Sequence, residues 1–130
     1  MIYLDSSALV KLAIAEPESA GLLRWLGEHP NLVRVSSELT QLEVIRLIWH
    51  AQPTALPEGY LVTSRVAGIE LNDEVIQRAV TVRPRSLRSS HAIQIASALT
   101  IRQELTAFVA YDKRLLAAAR DAGLPVASPA

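Results

Sequence analysis

Cysteine is absent from the 130 residues, so disulfides and thiolate metal sites are excluded, and any metal must be held by oxygen or imidazole. An excess of either charge is also missing. Thirteen basic residues balance thirteen acidic ones, so no global positive field marks a nucleic-acid partner, and cationic patches have to be sought locally. No apolar stretch approaches the roughly 20 residues that span a bilayer. Asp5 stands where a signal peptide would carry a basic n-region, and the expectation is a soluble, unexported, cytoplasmic protein with no membrane association. There is no glycine-rich phosphate loop, no Ser–His–Asp or cysteine-based nucleophile system, and no repeat, low-complexity tract or linker.

Half of the residues are apolar, enough for a chain of this length to form one domain, residues 1–130, that buries roughly two thirds of its unfolded surface. Met1-Ile2-Tyr3-Leu4 reads as a strand that delivers Asp5 at its end, with Ser6 and Ser7 starting a helix to Ile14. Pro17 reads as the first position of a second helix reaching His29-Pro30. Val33-Arg34-Val35 is a short strand, and Ser36-Ser37 starts a helix to about His50 with Leu39, Leu42, Ile45, Ile48 and Trp49 at helical spacing. Gln52 to Gly59, with Pro53 and Pro57, reads as a break, followed by a helix and short strand to about Glu70.

In the second half, Asn72 or Asp73 caps a helix to about Val82, and another runs from Arg88 to Gln103. Ala107 to Tyr111 is a strand that ends, like the first, on an aspartate, Asp112. The helix behind it stops at Gly123, and Leu124-Pro125-Val126-Ala127 reads as a terminal edge strand. Strands alternating with helices predict an α/β fold, a central parallel sheet with helices on both faces. In such folds ligands sit beyond the carboxyl ends of the strands, where Asp5 and Asp112 are expected to meet and hold a cation.

Each candidate also has a plainer role. Asp5 and Asp112 start helices, where a carboxylate caps free backbone N–H groups. Glu43 reads equally as an exposed helical residue, and His91 as a lone surface or core histidine. Arg83, Arg85 and Arg88 precede a helix whose N-terminus repels cations by a few tenths of a kcal/mol each, so helix stability does not explain them. A solvated turn and a phosphate-binding patch both remain open.

Leu4-Asp5-Ser6-Ser7-Ala8-Leu9-Val10-Lys11-Leu12, Thr40-Gln41-Leu42-Glu43-Val44, Leu87-Arg88-Ser89-Ser90-His91-Ala92-Ile93-Gln94-Ile95-Ala96-Ser97-Ala98-Leu99 and Tyr111-Asp112-Lys113-Arg114-Leu115 together resemble PIN-domain segments. The likeness is to VapC-type toxins of bacterial toxin–antitoxin pairs. It runs in order from the first strand to Val126, and its short motifs are specific only in combination. The resemblance implies a three-layer α/β/α fold and an endoribonuclease that hydrolyses RNA with Mg²⁺ or Mn²⁺. Asp5, Glu43 and Asp112 match three acidic positions, and Ser6 or Ser7 matches the hydroxyl residue that supports the first. The remaining acidic position falls on His91, and Gln94 stands where relatives often carry His. The resemblance also implies a VapB-like antitoxin and a homodimer, with the Trp25 and Trp49 helices as contact surfaces unless both indoles are core.

An imidazole in place of a carboxylate weakens a Mg²⁺ site, which prefers hard oxygen ligands, and suits Mn²⁺ better. His91 is therefore expected to be a metal ligand or, free of metal, a general acid, and to attenuate the enzyme. Arg85, Arg88 and Lys113 are the expected phosphate contacts of the RNA. The alternative is a catalytically degenerate PIN domain that binds RNA or antitoxin. A phosphoaspartate phosphatase is disfavoured, since Leu4-Asp5-Ser6-Ser7 lacks that class's second aspartate.

Overall fold

Tyr3 points to one face of the first strand while Ile2 and Leu4 point to the other, and this alternation places the whole molecule on two sides of a sheet. In the computed structural model, which describes residues 1–130, five strands lie in the order β3-β2-β1-β4-β5. They are β1 (Ile2–Leu4), β2 (Arg34–Ser37), β3 (Ala67–Ile69), β4 (Ala107–Val109) and β5 (Val126–Ala127), all parallel. β1 is central, with Tyr3 opposite Phe108 of β4 and Val35 of β2. All three β1 residues are fully buried, as expected of a parallel strand covered on both faces.

Seven helices connect the strands: α1 (Ser6–Ala13), α2 (Ser19–Gly27), α3 (Glu38–Ala51), α4 (Leu56–Ser64), α5 (Asp73–Val80), α6 (Ser89–Thr100) and α7 (Lys113–Asp121). Ile2, Leu4 and Val109 pack with Leu9, Leu22, Leu26, Val44 and Ile48, so α1, α2 and α3 cover one face. Tyr3, Phe108 and Ala110 pack with Ile95, Leu115 and Ala119, so α6 and α7 cover the other. The architecture is the expected three-layer α/β/α fold. The chain steps from β1 to β2 and β3, then returns to the far side of β1 for β4. The connections therefore part at the β1–β4 seam, where a doubly wound sheet opens a crevice at its carboxyl edge.

Several boundaries differ from the sequence expectation. α2 begins at Ser19, because the Ser19 hydroxyl accepts from the Glu16 N–H and donates to the Lys11 carbonyl, tying Pro17 into a turn. β2 continues through Ser36 and Ser37, whose burial in the sheet replaces the predicted helix start, and Ser37 caps α3 instead. α3 also turns a partly different face inward, sharing Ile48 with the expected one. Thr40, Val44 and Ile48 are buried, while Leu42 and Trp49 are more than half exposed. The predicted break at Gln52–Gly59 is mostly helix: Pro57 occupies the first turn of α4, where a missing N–H costs nothing. Gly59 lies at the α3–α4 crossing, where an added Cβ would stand 2.6 Å from Ile48 Cδ1. Gly123 ends α7 at φ +85°, the predicted left-handed cap.

Candidate functional site

Asp5 leaves the end of β1 and caps α1. Its own N–H donates to the Val109 carbonyl, and its Oδ1 accepts from Ala8 N–H at 3.0 Å and from Ser7 Oγ at 2.6 Å. The Ser7 hydroxyl in turn accepts from Tyr111 N–H at 3.0 Å, which joins the first aspartate to the segment after β4. Ser7, rather than Ser6, is thus the hydroxyl at the carboxylate. Asp5 is almost wholly buried, and burial pushes its carboxyl up to about 6 against the pull of these donors, with the Glu43 charge adding to the rise.

Glu43 reaches the same edge from α3. It is half-buried, and its Oε1 accepts from Gln94 Nε2 at 2.8 Å. Burial raises its carboxyl, while the Gln94 hydrogen bond and the Arg88 charge restrain the rise. Behind it lies a polar cluster that sequence reading did not find. The Tyr3 hydroxyl donates to Gln94 Oε1, Ser37 N–H donates to Tyr3 at 3.2 Å, and Gln94 Nε2 donates to Thr40 Oγ1 at 3.0 Å. Gln94 and Thr40 are both buried polar residues, which the spacing of apolar residues did not indicate.

Asp112 caps α7, accepting from Leu115 N–H at 2.9 Å, and that bond with the nearby His91 and Arg88 holds its carboxyl below the ordinary range. His91 occupies the first turn of α6, with Nε2 3.1 Å from Arg88 Nη2. Burial and the Arg88 charge lower its pKa against the pull of Asp112, so the neutral ring is favoured at pH 7. The acidic residues are therefore divided. The Glu43 charge raises the Asp5 carboxyl, whereas Asp112 associates with His91 and Arg88. No group of three or more histidine or acidic side chains is close enough to hold a metal ion. The donors themselves are hard oxygens suited to Mg²⁺, and two mutually repelling, partly desolvated carboxylates gain from a cation between them.

Beside Asp112 opens a groove of about 1110 Å³ whose walls include Arg83, Arg85, Arg88, His91 and Arg114. Lys113 is not part of it. Arg114, one residue further along α7, turns into the groove, a helical direction that the sequence did not reveal. Of the two tryptophans, Trp25 packs on the core and against His29 at 4.4 Å between ring centroids, whereas Trp49 is 63% exposed. No helix is long and apolar enough to cross a membrane.

Comparison with known proteins gives a consistent result. The PIN domain pattern matches residues 2–121. Ribonuclease VapC47 of Mycobacterium tuberculosis is 39% identical over 99% of this chain and 97% of its own length. Ribonuclease VapC35 of the same species is 41% identical over the same shares. Among solved structures, M. tuberculosis VapC20, described as a Sarcin-Ricin loop cleaving toxin, superposes with a TM-score of 0.73 at 14% identity, covering 95% of this chain and 96% of that one. FitAB bound to an IR36 DNA fragment superposes at 0.69 with 15% identity, covering 99% and 95%. These two structures bear on the fold alone. With the domain pattern spanning nearly the whole chain and full-length relatives at this identity, the chain belongs to the PIN-domain family, among its VapC-type members.

Proposed function

We propose that this chain is a metal-dependent endoribonuclease, the toxin of a cytoplasmic toxin–antitoxin pair, attenuated by His91. The observation that carries the reading is the buried Asp5 carboxylate facing Glu43 at the β1–β4 edge, in a chain whose full-length relatives are named ribonucleases. Asp5, Glu43 and Asp112 would hold Mg²⁺ or Mn²⁺, with His91 as a nitrogen ligand, once a bound ion drew the two separated halves of the donor set together. Such an ion lowers the pKa of a water and neutralises charge on the phosphorane-like transition state. Ser7 keeps Asp5 ionised and oriented. Arg85 and Arg88 remain the proposed phosphate contacts, the groove argues for Arg83 and Arg114 beside them, and Lys113, outside it, is the weakest of the expected contacts.

Partners follow the same reading. A VapB-like antitoxin would cover the site and pair an arginine with its carboxylates, and the exposed Leu42 and Trp49 on α3 offer it an apolar contact. A homodimer is proposed as the oligomeric state. A purified toxin–antitoxin complex that cuts RNA as well as the free toxin would rule out this form of inhibition.

A second reading rests on the divided donors: a degenerate domain that binds RNA or antitoxin without cutting. The deciding experiment is cleavage of a mixed RNA pool with Mg²⁺, Mn²⁺ or EDTA, using the parent protein, Asp5→Ala and His91→Asp. The ribonuclease reading expects metal-dependent cutting that Asp5→Ala abolishes. No cutting by any of the three proteins would favour the binding module.

A further inference from the structure

We infer that Tyr3 and Gln94 are positioning residues that act in series: the Tyr3 hydroxyl fixes which way the Gln94 amide faces, and the amide holds Glu43 in place. The inference rests on the ribonuclease reading for its catalytic consequence and on the hydrogen bonds alone for its mechanism.

The direction of each bond follows from what each group can do. An amide oxygen only accepts, so the single proton of the Tyr3 hydroxyl is committed to Gln94 Oε1. Tyr3 meanwhile accepts from the Ser37 N–H at 3.2 Å, which leaves no better use for that proton. With Oε1 turned to Tyr3, Nε2 must face the other way, where it donates to Glu43 Oε1 at 2.8 Å and to Thr40 Oγ1 at 3.0 Å. The reversed amide would set its carbonyl against the Glu43 carboxylate and leave the tyrosine proton without its acceptor. One rotamer and one flip state satisfy every group.

Both residues are held where they can do this. Gln94 is 1% exposed on α6, and Tyr3 is fully buried, its ring stacked on Phe108 with centroids 5.0 Å apart and planes 9° apart. A phenylalanine at position 3 and a methionine at position 94 would fill similar volume, but they would take a partner from the Ser37 N–H and the Thr40 hydroxyl and would supply no donor to Glu43. Tyr3 lies two residues before Asp5, which follows the strand directly. β1 thereby supplies one carboxylate of the pair directly and governs the other through Tyr3 and Gln94.

Steady-state kinetics on one defined RNA substrate test this with Tyr3→Phe, Gln94→Met and the double variant, each checked by thermal unfolding. Gln94→Met is expected to lower kcat about ten- to a hundredfold, the scale of one charge-assisted hydrogen bond, with KM changed less than about twofold. Tyr3→Phe should reproduce most of that loss, and the double variant should be no worse than Gln94→Met, because Tyr3 acts only through Gln94. Losses that multiply in the double variant, or stability changes at unaltered kcat, overturn the series arrangement. The amide lock itself is read without catalysis by NMR of the Gln94 side-chain NH₂. Two resolved, slowly exchanging proton resonances that shift on Glu43→Gln and broaden in Tyr3→Phe are expected. Resonances indifferent to both changes overturn the inference even if the protein cuts RNA, whereas a locked amide in a protein that cuts nothing would count against the ribonuclease reading alone.

Discussion

Asp5 is held in a setting that opposes its own charge. Its carboxylate accepts two hydrogen bonds, yet burial outweighs them and lifts the pKa to about 6. A raised folded-state pKa means that the folded protein binds this proton more tightly than the unfolded chain does. Its contribution to stability is therefore complete below about pH 4 and is lost as the pH rises through about 6. At neutral pH the ionised group costs on the order of 1–3 kcal/mol. Asp5→Asn keeps the capping oxygen and removes the charge, so it should raise stability at pH 7 by about that amount and show no advantage at pH 4. Urea unfolding at the two pH values checks this. Cleavage should be lost in the same variant, and parent activity should fall as pH drops through about 6; a flat profile from pH 5 to 8 would mean that Asp5 is not needed ionised. His91 presents the opposite case. Its ring adjoins Arg88, so a guanidinium and an imidazole stand where the proposed metal site expects a carboxylate. His91→Asp should increase Mg²⁺-supported cleavage on the order of tenfold and reduce any preference for Mn²⁺.

α6 carries more of the site than any other helix. It is buried from Gln94 through Ala98, bears His91 in its first turn and supplies Gln94 to Glu43. It also contains the only buried side-chain polar atom without a partner, Ser97 Oγ. Ser97→Ala removes that hydroxyl without opening a sizeable cavity and should stabilise the protein by about 1 kcal/mol, measured by denaturant midpoint. A loss of stability would mean that the hydroxyl finds a partner in solution. β1 and β4 were readable in the sequence because each is a short apolar run with an aspartate behind it, although β4 ends at Val109 and Ala110 and Tyr111 separate it from Asp112. α3 was legible as a helix but not in its orientation. Hydrophobic spacing rightly favoured Ile48 but also Leu42 and Trp49, whereas packing turned Thr40 and Val44 inward beside Ile48, since Thr40 closes hydrogen bonds with Ser36 and Gln94. Such a network joins residues 3, 36, 40 and 94, and no local signal announces contacts made across that separation. The start of α4 was obscured by Pro53 before it and Pro57 within it, although a proline breaks a helix only beyond its first turn.

The molecule as a whole is neutral, yet its charges are not evenly spread around the site. Four arginines and His91 border one groove, and its remaining walls are Pro84, Ser86, Leu87, Ala117, Ala118, Asp112 and Asp121, with no aromatic side chain among them. Non-specific single-strand binding sites commonly combine cations with aromatic stacking platforms. Here the cations are accompanied by a single aromatic ring, the His91 imidazole. The groove is therefore suited to hold phosphates, and RNA bases would be read elsewhere or by the shape of a folded substrate. With no net charge to attract RNA from a distance, affinity should depend steeply on these few side chains and on salt. Each phosphate contact adds about 0.7 to the slope of log affinity against log salt for a single strand. Arg85→Ala together with Arg114→Ala should therefore lower affinity at low salt and make the slope shallower by about 1.4. Lys113→Ala, whose side chain lies outside the groove, should change the slope little. These measurements can be made in EDTA, where cleavage is suppressed and binding is read alone. An unchanged slope in the arginine variant, or an equal change in Lys113→Ala, would move the RNA path away from this groove and toward the exposed start of α7.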